Sequence, residues 1–129
     1  MKKVLSSDFV HLDMPANGDA QARRFYGDLL GFAERPGLPN PASRRGVWFE
    51  CGRVQLHLGA VADWPAKPTK SALPTLPVED LQRVMHELIA GGFAAKMDLR
   101  SPQRTPRAVA VDPFGNLIAL REQHSRRHR

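Results

Sequence analysis

The sequence predicts an α+β fold in which two βαβββ modules form an open, cleft-enclosing mixed β-sheet with the helices on the outside. Three observations carry this expectation. Short segments with period-two apolar alternation recur along the chain, a helical stripe spaced i, i+3, i+4, i+7, i+8 occurs twice, and each stripe is closed by Gly-Phe. A module with one helix covers only one face of its sheet. The other face is left to meet the duplicate across a cleft.

The elements follow in order. DFVHLDMP (8–15) alternates, with Val10, Leu12 and Met14 on one face and Phe9, His11 and Asp13 on the other, so it reads as a strand packed on one side. Asn17-Gly18 marks a turn, and Asp19 is placed as the N-cap of the next helix. Ala22, Phe25, Tyr26, Leu29 and Leu30 form the first stripe, and Gly31 ends it in a left-handed conformation. Phe32 to Glu34 starts a second strand, and PGLPNPASRR is a proline-rich loop. GVWFECG and RVQLHLG form a hairpin around Gly52-Arg53.

AVADWPAKPTKS has the composition of a linker, in which Trp64 could serve as a lid or a dimer contact. The same order of elements then recurs. LPTLPV (73–78) is a strand, and Leu81, Val84, Met85, Leu88 and Ile89 repeat the helical stripe. Gly91-Gly92-Phe93 repeats the exit, and FAAKMDL, RAVAVD and LIALRE supply three more strands, the last two joined by the turn PFGN. The chain of 129 residues is therefore one domain: module one over about 8–59, a linker over 60–72, module two over about 73–122 and a basic tail over 123–129.

The net charge of +6 is weak support for a nucleic-acid partner, because Arg126, Arg127 and Arg129 in the tail supply half of it and the remaining basic residues are scattered. No apolar run is long enough to span a bilayer, and the short apolar stretch after the first lysines does not make a signal peptide. A single Cys51 excludes an internal disulfide framework and fits a cytoplasmic setting, and with no activating base in view it reads as a buried thiol.

Strand alternation selects the residues that face away from the helices. These are His11 and Asp13 from the first strand, Gln55 and His57 from RVQLHLG, and Arg121 from the last strand, where Ile118 and Leu120 are the better helix partners. Two histidines facing one cleft suggest metal ligation, but two ligands do not make a centre. The equivalent of His11 in the second module falls at Leu73, or at Ala72 one residue earlier, and the inward position of the last strand is Ala119. Glu122 could complete a two-His, one-carboxylate set only if a bulge turned it inward. His86 falls on the polar side of its helix.

HLDMP, RRFYGDLLGF, GVWFECGRVQLHLG, LPVEDL and DPFGNLIALRE together resemble the vicinal oxygen chelate superfamily, which includes glyoxalase, bleomycin-resistance and extradiol dioxygenase proteins. The resemblance covers nearly the whole chain and implies paired βαβββ modules in a homodimer. It also implies that His11 and His57 stand at the first and second metal-ligand positions, and that Leu73 and Ala119 stand at the third and fourth. The expected function is then binding of a small organic ligand, neutral or anionic, in the cleft, by His11, Asp13, Trp48, His57 and Arg121, with no complete metal site and no cofactor. The alternative is a metal-dependent lyase or dioxygenase using His11, His57 and Glu122.

Overall fold

A computed structural model describes residues 8–35, 46–62, 73–100 and 105–123. The strands are β1 (Asp8–Pro15), β2 (Ala33–Arg35), β3 (Gly46–Cys51), β4 (Val54–Val61), β5 (Thr75–Val78), β6 (Ala95–Met97), β7 (Arg107–Val111) and β8 (Leu117–Glu122). They make two four-stranded sheets, ordered β1-β4-β3-β2 and β5-β8-β7-β6. In each, the first strand of the module runs parallel to the last and the remaining pairs are antiparallel. The duplication seen in the sequence is thus reproduced strand for strand. Trp64 and the tail beyond 123 lie outside the described residues.

One face of each sheet makes the core. Met14, Val47, Phe49, Cys51, Leu56 and Leu58 of the first sheet are buried with Phe25 and Tyr26 of the first helical segment. In the second sheet, Leu76, Val78, Ala108, Ala110, Ile118 and Leu120 are buried with Leu81, Val84, Met85 and Leu88 of α2 (Leu81–Ala90). Removing this apolar surface from water drives the packing.

Several boundaries differ from the sequence expectation. The first helix is an α-helix only over α1 (Asp19–Ala22) and continues as a π-helix over Arg23–Leu29. The stripe still holds, with Ala22, Phe25, Tyr26 and Leu30 buried and Leu29 half-buried. Phe25 and Tyr26, neighbours in the stripe, are both buried in this segment. Phe25 then packs edge-on against Phe93 at 5.0 Å while the Tyr26 hydroxyl reaches Asp112 at 2.6 Å. The N-cap is Gly18 rather than Asp19, which is the first helical residue.

Ile89, the last member of the second stripe, is 56% exposed, because position i+8 lies about 80° around the helix from Leu81. β4 extends through Ala60 and Val61, where pairing with Met14 and Pro15 overrides the linker-like composition. Gly31 and Gly92 both take positive φ, 84° and 89°, as helix exits of the kind the Gly-Phe repeats predict. Among the described residues no helix is long and apolar enough to cross a membrane.

Polar contacts join the modules. Asp112, buried at the end of β7, accepts from the Tyr26 hydroxyl, from Asn116 Nδ2 and from the backbone N–H groups of Phe114 and Asn116. Asn116 Nδ2 also donates to the Asp13 carbonyl at 3.0 Å, which anchors the end of β1 to the start of β8. The DPFGN turn is therefore structural, as its sequence suggests, and it also ties one module to the other.

Burial pushes the Tyr26 hydroxyl well above its ordinary range, with the neighbouring Asp112 carboxylate adding to the shift. Burial likewise pushes the Cys51 thiol up, with the Glu50 charge adding to it. Both groups stay protonated in the folded chain after they ionise in the unfolded one. Stability is therefore expected to be fully present below about pH 9 and to fall as pH rises through the alkaline range. Tyr26→Phe should lower the unfolding free energy near neutral pH by about 1.5–3 kcal/mol, since a buried carboxylate loses a donor. It should also flatten the alkaline loss. Urea titrations from pH 7 to 11 read both effects, and an unchanged Tyr26→Phe curve would contradict the role given to this contact.

Candidate functional site

The helix-free face of the first sheet carries the chemistry. Strand register sets His11 of β1 directly opposite His57 of β4, and His57 opposite Trp48 of β3. Three neighbouring strands thus present one row of rings. His11 Nδ1 and His57 Nδ1 are 3.1 Å apart, and His11 Nε2 lies 3.1 Å from Asp13 Oδ1, two residues along the same strand face. Trp48 stacks on His57 with centroids 4.1 Å apart and planes at 16°. Phe9 stacks on Trp48 at 5.6 Å and is itself 57% exposed.

The hydrogen-bond directions follow from the donor inventory. An ionised Asp13 accepts from His11 Nε2–H, so the Nδ1 lone pair of a neutral His11 accepts the His57 Nδ1 proton. A protonated His11 reverses the second bond. Asp13, His11 and His57 are then a three-member chain along which one proton fixes the ring tautomers. His57 is 4% exposed, while His11 stands largely in solvent at the rim of the cluster. Gly59 makes this closeness possible, because a Cβ there would sit 2.8 Å from His11 Cε1 and 3.2 Å from His57 Cε1.

The structure therefore brings together four of the five residues selected from sequence: His11, Asp13, Trp48 and His57. Arg121 stands on the second sheet, opposite Arg107 and Pro77, exposed on the face turned from α2. Phe9 and Gly59 were not singled out. Phe9 shares the alternation of His11 and Asp13, so the pattern places it on the right face, whereas the need for glycine at 59 shows only once the two rings are in place.

Leu73 and Ala119, at the third and fourth positions of the metal-dependent pattern, have no ligating atom. Glu122 does not turn inward, because β8 pairs without a bulge and Glu122 Oε1 accepts from the Leu81 backbone N–H at 3.1 Å, at the start of α2. The two-His, one-carboxylate set is corrected on this ground: the carboxylate is a helix cap beside Asp80, which accepts from the Arg83 N–H. Among the described residues no three His, Cys, Asp or Glu side chains gather as metal ligands. Cys51 is buried on the core side of β3, away from this face.

Comparison with known proteins agrees with the fold. The model of the Glyoxalase/Bleomycin resistance protein/Dioxygenase superfamily matches residues 8–120. The chain belongs to this superfamily. Among solved structures, a glyoxalase family protein from Bacillus anthracis is 31% identical over 95% of this chain and 98% of that one, with a TM-score of 0.75. A superfamily member from Sphaerobacter thermophilus is 20% identical over 93% and 98%, with a TM-score of 0.65. TnmS3, an antibiotic binding protein from Streptomyces sp. CB03234, is 21% identical over 95% and 98%, with a TM-score of 0.59. None of the curated proteins matched the chain. This member keeps the paired modules, and both His11 and His57 lie on its first sheet.

Gly59→Ala should separate the two imidazoles, because the new methyl occupies the space of His11 Cε1. The expected reading is loss of the histidine-to-histidine coupling in imidazole nitrogen NMR spectra, with overall stability changed by less than about 1.5 kcal/mol. Imidazole spectra identical to those of the parent protein would show that the contact does not need glycine.

Proposed function

We propose that this superfamily member binds a small planar organic molecule, neutral or anionic, on the helix-free face of the first sheet, without a complete metal site. The observation that carries the reading is the stack of Trp48 on buried His57, extended by Phe9 and held by the Asp13–His11 pair. The exposed Phe9 ring and the half-buried Trp48, fixed by neighbouring strands, offer a planar partner contact area at little ordering cost. His11 and Asp13 supply polar contacts at the edge of the stack. The antibiotic binding protein TnmS3 puts small-molecule binding within the reach of this fold. The reading accounts for why alanine and leucine are tolerable at Ala119 and Leu73, since a binder requires no donor there.

The test is a thermal-shift screen of planar aromatic compounds with the parent protein, Trp48→Ala and His57→Ala, alongside elemental analysis of the purified protein. Hits that stabilise the parent should lose roughly tenfold or more in affinity in Trp48→Ala, as for removal of a central aromatic anchor. Metal should be well below one ion per chain. Stoichiometric metal that disappears in His57→Ala would overturn the metal-free reading, and hits indifferent to Trp48 would overturn the platform.

A further inference from the structure

The helix-free face of the second sheet is chemically unlike that of the first. Register places Lys96 opposite Val109 and Val109 opposite Ala119, while Arg107 lies between β6 and Arg121 in the neighbouring row. Beside them is a depression of about 480 Å³ whose walls include Leu73, Met97 and Val109 along with Lys96, Asp98 and Arg107. That volume is in the range of small-molecule sites.

Charge balance singles out the cations. Asp98 is engaged by Arg100, whose backbone N–H donates to Oδ1 at 3.1 Å and whose guanidinium lies 3.7 Å away. Lys96, Arg107 and Arg121 have no ion-pair partner among the described residues. Arg107 Nε is buried and finds no hydrogen-bond partner among the described residues. A buried guanidinium donor without an acceptor is costly, and an oxyanion arriving from solvent would satisfy it. Leu73 and Val109 provide an apolar wall beside that donor.

We infer that this depression is an anion-binding site, in which Arg107, supported by Lys96 and Arg121, takes the carboxylate or sulfonate of an amphiphilic organic ligand whose apolar body lies against Leu73 and Val109. Arg107 is suited to the role because its planar fork can meet two oxygens at once, while Lys96 and Arg121 act as flanking charges. The inference extends ligand binding from the first sheet to the second, and it stands or falls separately from the Trp48 platform.

The experiment uses two aliphatic probes of similar size, neither of them a planar aromatic, followed by titration calorimetry: octane-1-sulfonate, which is anionic, and octan-1-ol, which is neutral. The parent protein should bind the sulfonate with one-to-one stoichiometry, more tightly than the neutral alcohol, and less tightly as ionic strength rises. Arg107→Gln should weaken sulfonate binding roughly tenfold or more, Lys96→Gln should weaken it by a smaller factor, and Trp48→Ala should leave it unchanged. Melting curves of each variant confirm that it is folded, and the exposed Lys96→Gln keeps the test open if Arg107→Gln fails to fold. Sulfonate binding equal in parent and Arg107→Gln (or, if that variant fails to fold, in parent and Lys96→Gln), absent from the parent, matched by the neutral probe, or lost in Trp48→Ala instead would overturn the inference. The last of these outcomes would leave the platform on the first sheet intact.

Discussion

A buried carboxylate at the seam of the two modules holds the arrangement together. Asp112 sits where β7 ends, and each of its oxygens accepts two hydrogen bonds, shared among Tyr26, Asn116 and Phe114. A charge this deep is tolerable only when its lone pairs are satisfied. That requirement fixes the DPFGN turn, draws the first helical segment toward the second module and puts Asn116 within reach of the Asp13 carbonyl. Because Asp13 then orients His11, the geometry of the imidazole pair depends on a contact in the other half of the chain. Loss of the seam would loosen the site before it removed any residue from it.

The two halves share a scaffold and differ in what they display. Core positions match across the duplication: alternating apolar residues under one helical stripe, with a Gly-Phe exit. The helix-free faces have no such constraint. One carries Phe9, Trp48, His57 and His11 in stacking or hydrogen-bonding contact, and the other carries Lys96, Arg107 and Arg121 around small apolar residues. Duplication of a sheet with one free face leaves two surfaces on which chemistry can change without disturbing the core.

Much of this was legible in the sequence because strand alternation has a period of exactly two residues per face. The side of His11, Asp13, His57, Ile118 and Leu120 could be assigned from it, and so could the outward turn of Glu122 away from Ala119. What alternation does not encode is contact between distant elements. Tyr26 and Asp112 are 86 positions apart, and nothing local marks them as partners. The π-helix was invisible too, because Ala22, Phe25, Tyr26 and Leu30 have the spacing of an ordinary helical stripe. Asp19 and Asp80 have similar capping chemistry, yet only Asp80 caps with its side chain, because Gly18 occupies the first cap position.

The single cysteine has a use that its burial creates. Cys51 is sealed under the first sheet with its thiol held protonated, so reagents that need a thiolate meet it only when the sheet opens. The chain therefore contains its own reporter of opening, and the rate at which that thiol becomes modifiable times how often the first module comes apart. Any second cysteine placed on the surface would react long before the first, which gives a site-specific attachment point without having to remove the native residue.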